Sequence, residues 1–204
     1  MESAELLFRE IEQAGLMIDN EWLIKQNDSF DRRTAHIYDC RTLDALIDQS
    51  QLKVLSEDEF VYSLHRWRNF KRHEAWMSLL FEQVPQISLP ENAFHKRIDF
   101  LIVTAEGEKV PFDLKVTRYP KALSPGATDK ALAEWFYENQ SKQGRFHLAN
   151  RFFVVGQPEV ALYDISLARQ TLGKFVEKMS NFRHFIDHSN GDRSRAVILR
   201  QVRE

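Results

Sequence analysis

Apolar and polar positions along the 204-residue chain change period several times, and each change marks an element. Residues 2–17 set Leu6, Leu7, Ile11 and Leu16 at helical spacing, and a second helical stretch covers Arg41–Gln51. Ser56-Glu57-Asp58-Glu59 has the form of a capping start and predicts a helix from Glu57 to Gln83. Within that helix Trp67, Phe70, Met77 and Phe81 trace a stripe whose missing member is Glu74. A glutamate then stands where the pattern asks for a buried apolar side chain. The competing reading gives the inner face to Trp76, Leu79 and Leu80 and leaves Glu74 at its edge.

Period two takes over in Arg97–Thr104 and Val110–Thr117, two runs rich in Val, Ile, Leu, Phe and Thr. The short segment Ala105–Lys109 between them, with its glycine, predicts a hairpin. Tyr119–Thr128 holds Pro120, Pro125 and Gly126 and reads as a loop; Thr128 or Asp129 caps a helix running through Ala131–Gln143. Arg151–Gly156 is a short apolar strand, so strand, helix and strand form a crossover that demands parallel pairing. Val160–Ile165 reads as a further short strand. Leu172, Phe175, Val176, Met179, Phe182 and Ile186 predict a long helix over Ser166–His188, and Ala196–Val202 closes the pattern as a strand. The fold class is α/β with a mixed sheet flanked by helices, divided into a helical appendage at 1–60 and a main domain at 61–204.

The hairpin carries the candidate chemistry. Asp113, Lys115 and Thr117 share one face of their strand. A register pairing Thr104 with Val110 sets Asp99 opposite Lys115, with Asp113 on the diagonal. Slips by an even number keep the three together, and an odd slip separates them. Asp99 is flanked by apolar residues of both parities (Ile98, Phe100 and Ile102; Leu101 and Val103), the mark of a strand buried on both faces. A carboxylate there is costly unless paired, hydrogen-bonded or metal-bound, and aspartate is a poor strand former. The plainer alternative is a solvated cross-strand ion pair.

Composition changes this picture little: 43% hydrophobic and 28% charged residues describe an ordinary globular chain. No apolar stretch approaches the ~20 residues of a membrane span, and the acidic N-terminal segment lacks the pattern of a secretory signal. A single cysteine, Cys40, excludes an intrachain disulfide and suits a reducing compartment, so the cytoplasm is the expected location. Charge is more informative. Residues 1–60 hold 14 acidic and 6 basic residues, whereas 61–204 hold 16 acidic and 22 basic, so a net −2 conceals a basic main domain. His65–His73 interleaves Arg66, Arg68, Lys71 and Arg72 with Trp67 and Phe70, a mixture that suits phosphate contacts and equally suits a helix face whose stems cover apolar surface. No phosphate loop, Rossmann glycine series or Gly-X-Ser-X-Gly elbow occurs. His184 and His188 stand four apart on the predicted helix, a metal-compatible spacing without further ligands.

A helix bearing Glu74, a hairpin bearing Asp99 and Asp113-Leu114-Lys115, then a helix and a strand: over residues 66–157 this order resembles the PD-(D/E)XK nuclease superfamily, the fold of type II restriction endonucleases and of many repair and phage-defence nucleases. Ile98 stands where the motif name has proline, and Asp113 replaces the commoner glutamate. The resemblance implies a restriction-endonuclease-like core and a Mg²⁺-dependent phosphodiesterase, Mn²⁺ substituting, an endonuclease rather than an exonuclease. Asp99, Asp113, Glu74 and Leu114 then form the metal set and Lys115 orients the attacking water. Arg66, Arg68, Lys71, Arg72, Arg118, Lys121, Gln140 and Gln143 are the candidate nucleic-acid contacts, with Gln140 or Gln143 assisting catalysis. DNA is the expected substrate, with RNA kept open. The N-terminal helices are a surface for a homodimer or a partner protein, and no membrane is involved. A catalytically silent nucleic-acid-binding or assembly subunit of the same fold is the alternative, and a plain α/β interaction protein a third.

Overall fold

Ser3 starts the first helix: its Oγ accepts the Leu6 N–H at 3.4 Å, and α1 runs from Ala4 to Leu16. The computed structural model describes residues 2–18, 27–90, 98–140, 150–156, 164–178, 184–187 and 193–201. They belong to two compact units, Met1–Ser78 and Leu79–Glu204.

In the first unit α1 is followed by α2 (Asp28–Arg33), a 3-10 turn (Ala35–Tyr38) and α3 (Leu43–Leu52). Neither α2 nor the 3-10 turn carries enough periodic apolar residues to announce itself. Ala4, Leu7, Phe8, Ile11 and Ala14 form the buried stripe of α1, whereas Leu16 is exposed. The expected capping box is present: Ser56 N–H donates to Glu59 Oε2 at 2.9 Å and Glu59 N–H to Ser56 Oγ at 3.3 Å, starting α4 at Glu57. Trp67, fully buried in α4, packs with Ala14, Ile37, Cys40, Leu43, Leu46 and Leu64 and donates its Nε1–H to the Cys40 carbonyl at 2.8 Å.

The second unit is built on a six-stranded mixed sheet in the order β1-β2-β3-β4-β6-β5. Its strands are β1 (Ile87–Ser88), β2 (Phe100–Val103), β3 (Lys109–Arg118), β4 (Arg151–Gly156), β5 (His184–Asp187) and β6 (Arg193–Gln201). As predicted, β2 and β3 are antiparallel, and β3 and β4 are parallel across α5 (Asp129–Gln140). Thr128 Oγ1 takes the cap of α5 by accepting the Ala131 N–H at 3.2 Å. One sheet face packs on α5, with Phe136 stacked on Phe153 at 4.8 Å. The other meets α6 (Ile165–Lys178), with Phe175 edge-on to Phe152 at 5.3 Å.

Three expectations change. The helix predicted over Ser166–His188 corresponds to α6 ending at Lys178, and His184–Asp187 is a strand antiparallel to β6, so His184 is not helical, and His188 lies outside the described residues. Ile165 opens α6 instead of closing a strand, and 157–163 lie outside the described residues. Finally, β2 is fully buried only at Phe100, and its other residues are half-buried. Among the described residues no helix is long and apolar enough to cross a membrane.

The α3 terminus supplies a stability test. Leu55 N–H donates to the Ser50 carbonyl and Val54 N–H to that of Gln51, a Schellman arrangement that puts Val54 in the left-handed region at φ 51. A β-branched residue is strained there, and Val54 is exposed, so its side chain returns little burial. Val54→Gly should raise the stability of the first unit by about 1 kcal/mol in chemical denaturation; a loss of stability would show that Val54 packs.

Candidate active site

β3 changes partner at Asp113. Up to Phe112 it pairs with β2, and from Asp113 onward it pairs with β4, with Asp113 opposite Arg151 and Lys115 opposite Phe153. The hairpin register differs from the expected one by two residues: Phe100 pairs with Phe112 and Ile102 with Val110, and Thr104 N–H donates to the Glu108 carbonyl at 2.9 Å. The turn causes this, because Gly107 at φ +82 closes a loop of only three residues, Ala105–Gly107. The slip is even, so continuing the register sets Asp99 opposite Asp113 rather than Lys115.

Regular pairing ends there. Asp99 N–H also donates to the Phe112 carbonyl, at 2.9 Å, so two consecutive residues meet one, the count of a β-bulge. Asp99 Oδ2 then accepts the Leu114 N–H at 2.7 Å, taking the place of the strand carbonyl that a continuing ladder would provide. Asp99 is thereby fixed to the backbone of the Asp113-Leu114-Lys115 segment.

Lys115 Nζ reaches both Asp113 oxygens, at 3.0 and 2.8 Å, with its side chain 42% exposed against 22% for Asp113. Burial nevertheless pushes the Asp113 carboxyl above its ordinary value; Lys115 and Arg151 pull it down, and the Asp99 charge adds to the upward push. A carboxylate that stays disfavoured beside a lysine is short of positive charge. Tyr137 of α5 packs its buried ring against the Arg151 guanidinium, 5.1 Å from its centroid, which brings the C-terminal end of α5 to the level of Asp113. Gln140 ends that helix, and Gln143 lies outside the described residues.

The remaining expected site residues lie on α4, on β3 and in the loop after it. Glu74 belongs to the first unit, whereas Asp99, Asp113, Leu114 and Lys115 belong to the second. The buried face of α4 is the alternative one, with Ala75, Trp76, Leu79 and Leu80 fully buried. Glu74 is 38% exposed and its Oε2 lies 2.8 Å from Lys71 Nζ. The two side chains line a cavity of about 560 Å³ with Glu2, Leu7, Arg41, His73 and Met77. The basic segment is not a solvent-facing stripe. Arg68, Lys71 and Arg72 are buried, and Arg66 is held by the Asp31 carbonyl, Thr34 Oγ1 and Tyr38 Oη. Arg66, Lys71 and Arg72 each make a side-chain hydrogen bond within the first unit. Arg118 is half-buried at the end of β3, its guanidinium pushed below its ordinary value by burial, and Lys121 is exposed in the loop that follows.

No protein-family model, curated protein or solved structure matches the chain. Fit to a metal therefore rests on the donors themselves. Among the described residues no group of three or more His, Cys, Asp or Glu is placed to hold one. Two carboxylates suit a hard cation such as Mg²⁺, which is commonly held by one or two carboxylates together with waters and substrate phosphate. They do not suit zinc, which calls for a closed nitrogen or sulfur set.

Asp113→Asn keeps the shape and removes the charge. Because the folded-state carboxyl stands above its ordinary value, the parent loses stability as pH rises through and above the carboxylate range. In chelator the variant should gain melting temperature relative to the parent between pH 3 and pH 7. A relative loss with rising pH would mean that the ion pairs outweigh burial.

Proposed function

We propose that the chain is a Mg²⁺-dependent nuclease that hydrolyses phosphodiester bonds in DNA, with a restriction-endonuclease-like arrangement of its second unit. The observation that carries the reading is the arrangement at the β3 partner change: Asp99 Oδ2 accepts the Leu114 N–H at 2.7 Å while Lys115 Nζ reaches both oxygens of the half-buried Asp113. Two strand carboxylates and a lysine tied to one three-residue segment suit a cation site.

Asp99 and Asp113 would hold the cation, with Asp99 aimed by the Leu114 amide and Asp113 by its place at the β3 partner change. A bound Mg²⁺, or Mn²⁺ in its place, supplies Lewis-acid polarisation of the phosphate and a more acidic water. Lys115 then leaves Asp113, donates to a non-bridging oxygen of the scissile phosphate and orients the attacking water. Its exposure gives it the freedom to do so. Lys121, exposed after β3, and the net +3 of residues 79–204 support a polyanionic substrate.

Supercoiled plasmid with Mg²⁺ provides the assay. Asp113→Ala and Lys115→Ala should each lower nicking by about 100-fold or more while keeping a cooperative melt. Full activity in either variant sinks this mechanism. Mg²⁺ or Mn²⁺ should also raise the melting temperature of the parent and not of Asp99→Ala. A metal shift without nicking of DNA or RNA would favour the silent nucleic-acid-binding subunit. No shift at all would leave an interaction protein whose hairpin charges are ion pairs.

A further inference from the structure

Arg151 is the first residue of β4 and stands beside Asp113 in the parallel register. Its side chain is 6% exposed, its guanidinium lies over the Tyr137 ring, and Nε is 3.9 Å from Asp113 Oδ2. The backbone just before it is tied on three sides. The Asn150 carbonyl accepts the Asp113 N–H at 3.0 Å, Nδ2 donates to the Pro111 carbonyl at 3.0 Å and Oδ1 accepts the Arg195 N–H at 2.7 Å. Asp113 thus faces two cations of different character: Lys115, the more exposed, and Arg151, sequestered and held against an aromatic face.

We propose that Arg151 is the positioning residue of this site, keeping the Asp113 carboxylate aimed and charge-balanced while Lys115 departs for the substrate phosphate. This rests on the hydrolytic metal-site reading. The argument is one of accessibility and cost. Arg151 is too buried to touch a nucleic acid, so it acts through Asp113. A carboxylate as buried as Asp113 cannot lose its one exposed partner without penalty unless a second cation remains. The planar guanidinium stacked on Tyr137 gives up little freedom by remaining, whereas Lys115 has a long flexible stem suited to moving between partners.

Two measurements test it. In metal-free protein, a double-mutant cycle of Arg151→Met and Asp113→Asn should give a favourable coupling of at least about tenfold in the folding equilibrium. In Mn²⁺ titrations followed by calorimetry, Arg151→Met should weaken binding about tenfold or more through loss of the aim of Asp113, an effect that outweighs removal of a repelling charge, with Arg151→Lys restoring most of it because a donor still pairs with Asp113 and aims it. Plasmid cleavage by Arg151→Met should fall in kcat with KM for DNA unchanged. Should Arg151→Met not fold, Tyr137→Leu and Arg151→Lys carry the test, the first losing Mn²⁺ affinity and the second keeping it. Zero coupling, or parental Mn²⁺ affinity in Arg151→Met or in Tyr137→Leu, overturns the proposal. If Mn²⁺ binds the parent and is lost in Asp113→Asn but not in Arg151→Met, Arg151 alone is excluded. If Mn²⁺ does not bind the parent, the metal-site reading fails and takes the role of Arg151 with it.

Discussion

The candidate site depends on one change of partner within a single strand. β3 spends its first residues in an antiparallel ladder with β2 and the remainder in a parallel ladder with β4, and Asp113 is the residue at which the change occurs. At such a point the ladder on one side has ended, so a backbone amide is left for a side chain to take. Asp99 takes it, through Leu114. On the other side the new partner brings Arg151 alongside. The aspartate–aspartate–lysine group is therefore a product of sheet topology and needs no specialised loop.

That placement is expensive, and the expense is informative. Asp113 is a poor strand former set among buried neighbours, Phe112 and Leu114 on its own strand and Phe152 and Phe153 on the next. Lys115 and Arg151 lower the cost of its charge but do not cancel burial. Local rules broken together at one point, without full compensation in the folded chain, are what functional sites look like in physical terms. The basic segment of α4 shows a different case, since Arg66 meets a hydroxyl, a carbonyl and an aromatic face of the first unit and Lys71 its carboxylate Glu74.

Much of the fold was legible in the sequence. Ser56 and Glu59 announced α4, Thr128 announced α5, and the apolar run of β4 announced a short strand. The hairpin register was not legible, because alternation is identical for any even slip, and what decided between them was the left-handed Gly107 shortening the loop to three residues. The face of α4 was ambiguous because two apolar stripes lie side by side, and only packing chose Trp76, Leu79 and Leu80 over the stripe containing Glu74. β5 was hidden because Phe182 and Ile186 continue the helical spacing of α6, and a four-residue strand has no period long enough to compete. Arg151 was missed since nothing marks an arginine at a strand start; its parallel register with Asp113 is a tertiary fact.

The central claim is that Asp99 and Asp113 share one cation. Crystals grown or soaked in millimolar Mn²⁺ and measured at the manganese absorption edge test it without reference to any substrate. The account predicts an anomalous peak coordinated by carboxylate oxygens of both Asp99 and Asp113, with Lys115 moved off Asp113. A hairpin free of anomalous density, with the Lys115–Asp113 pair intact, would contradict it.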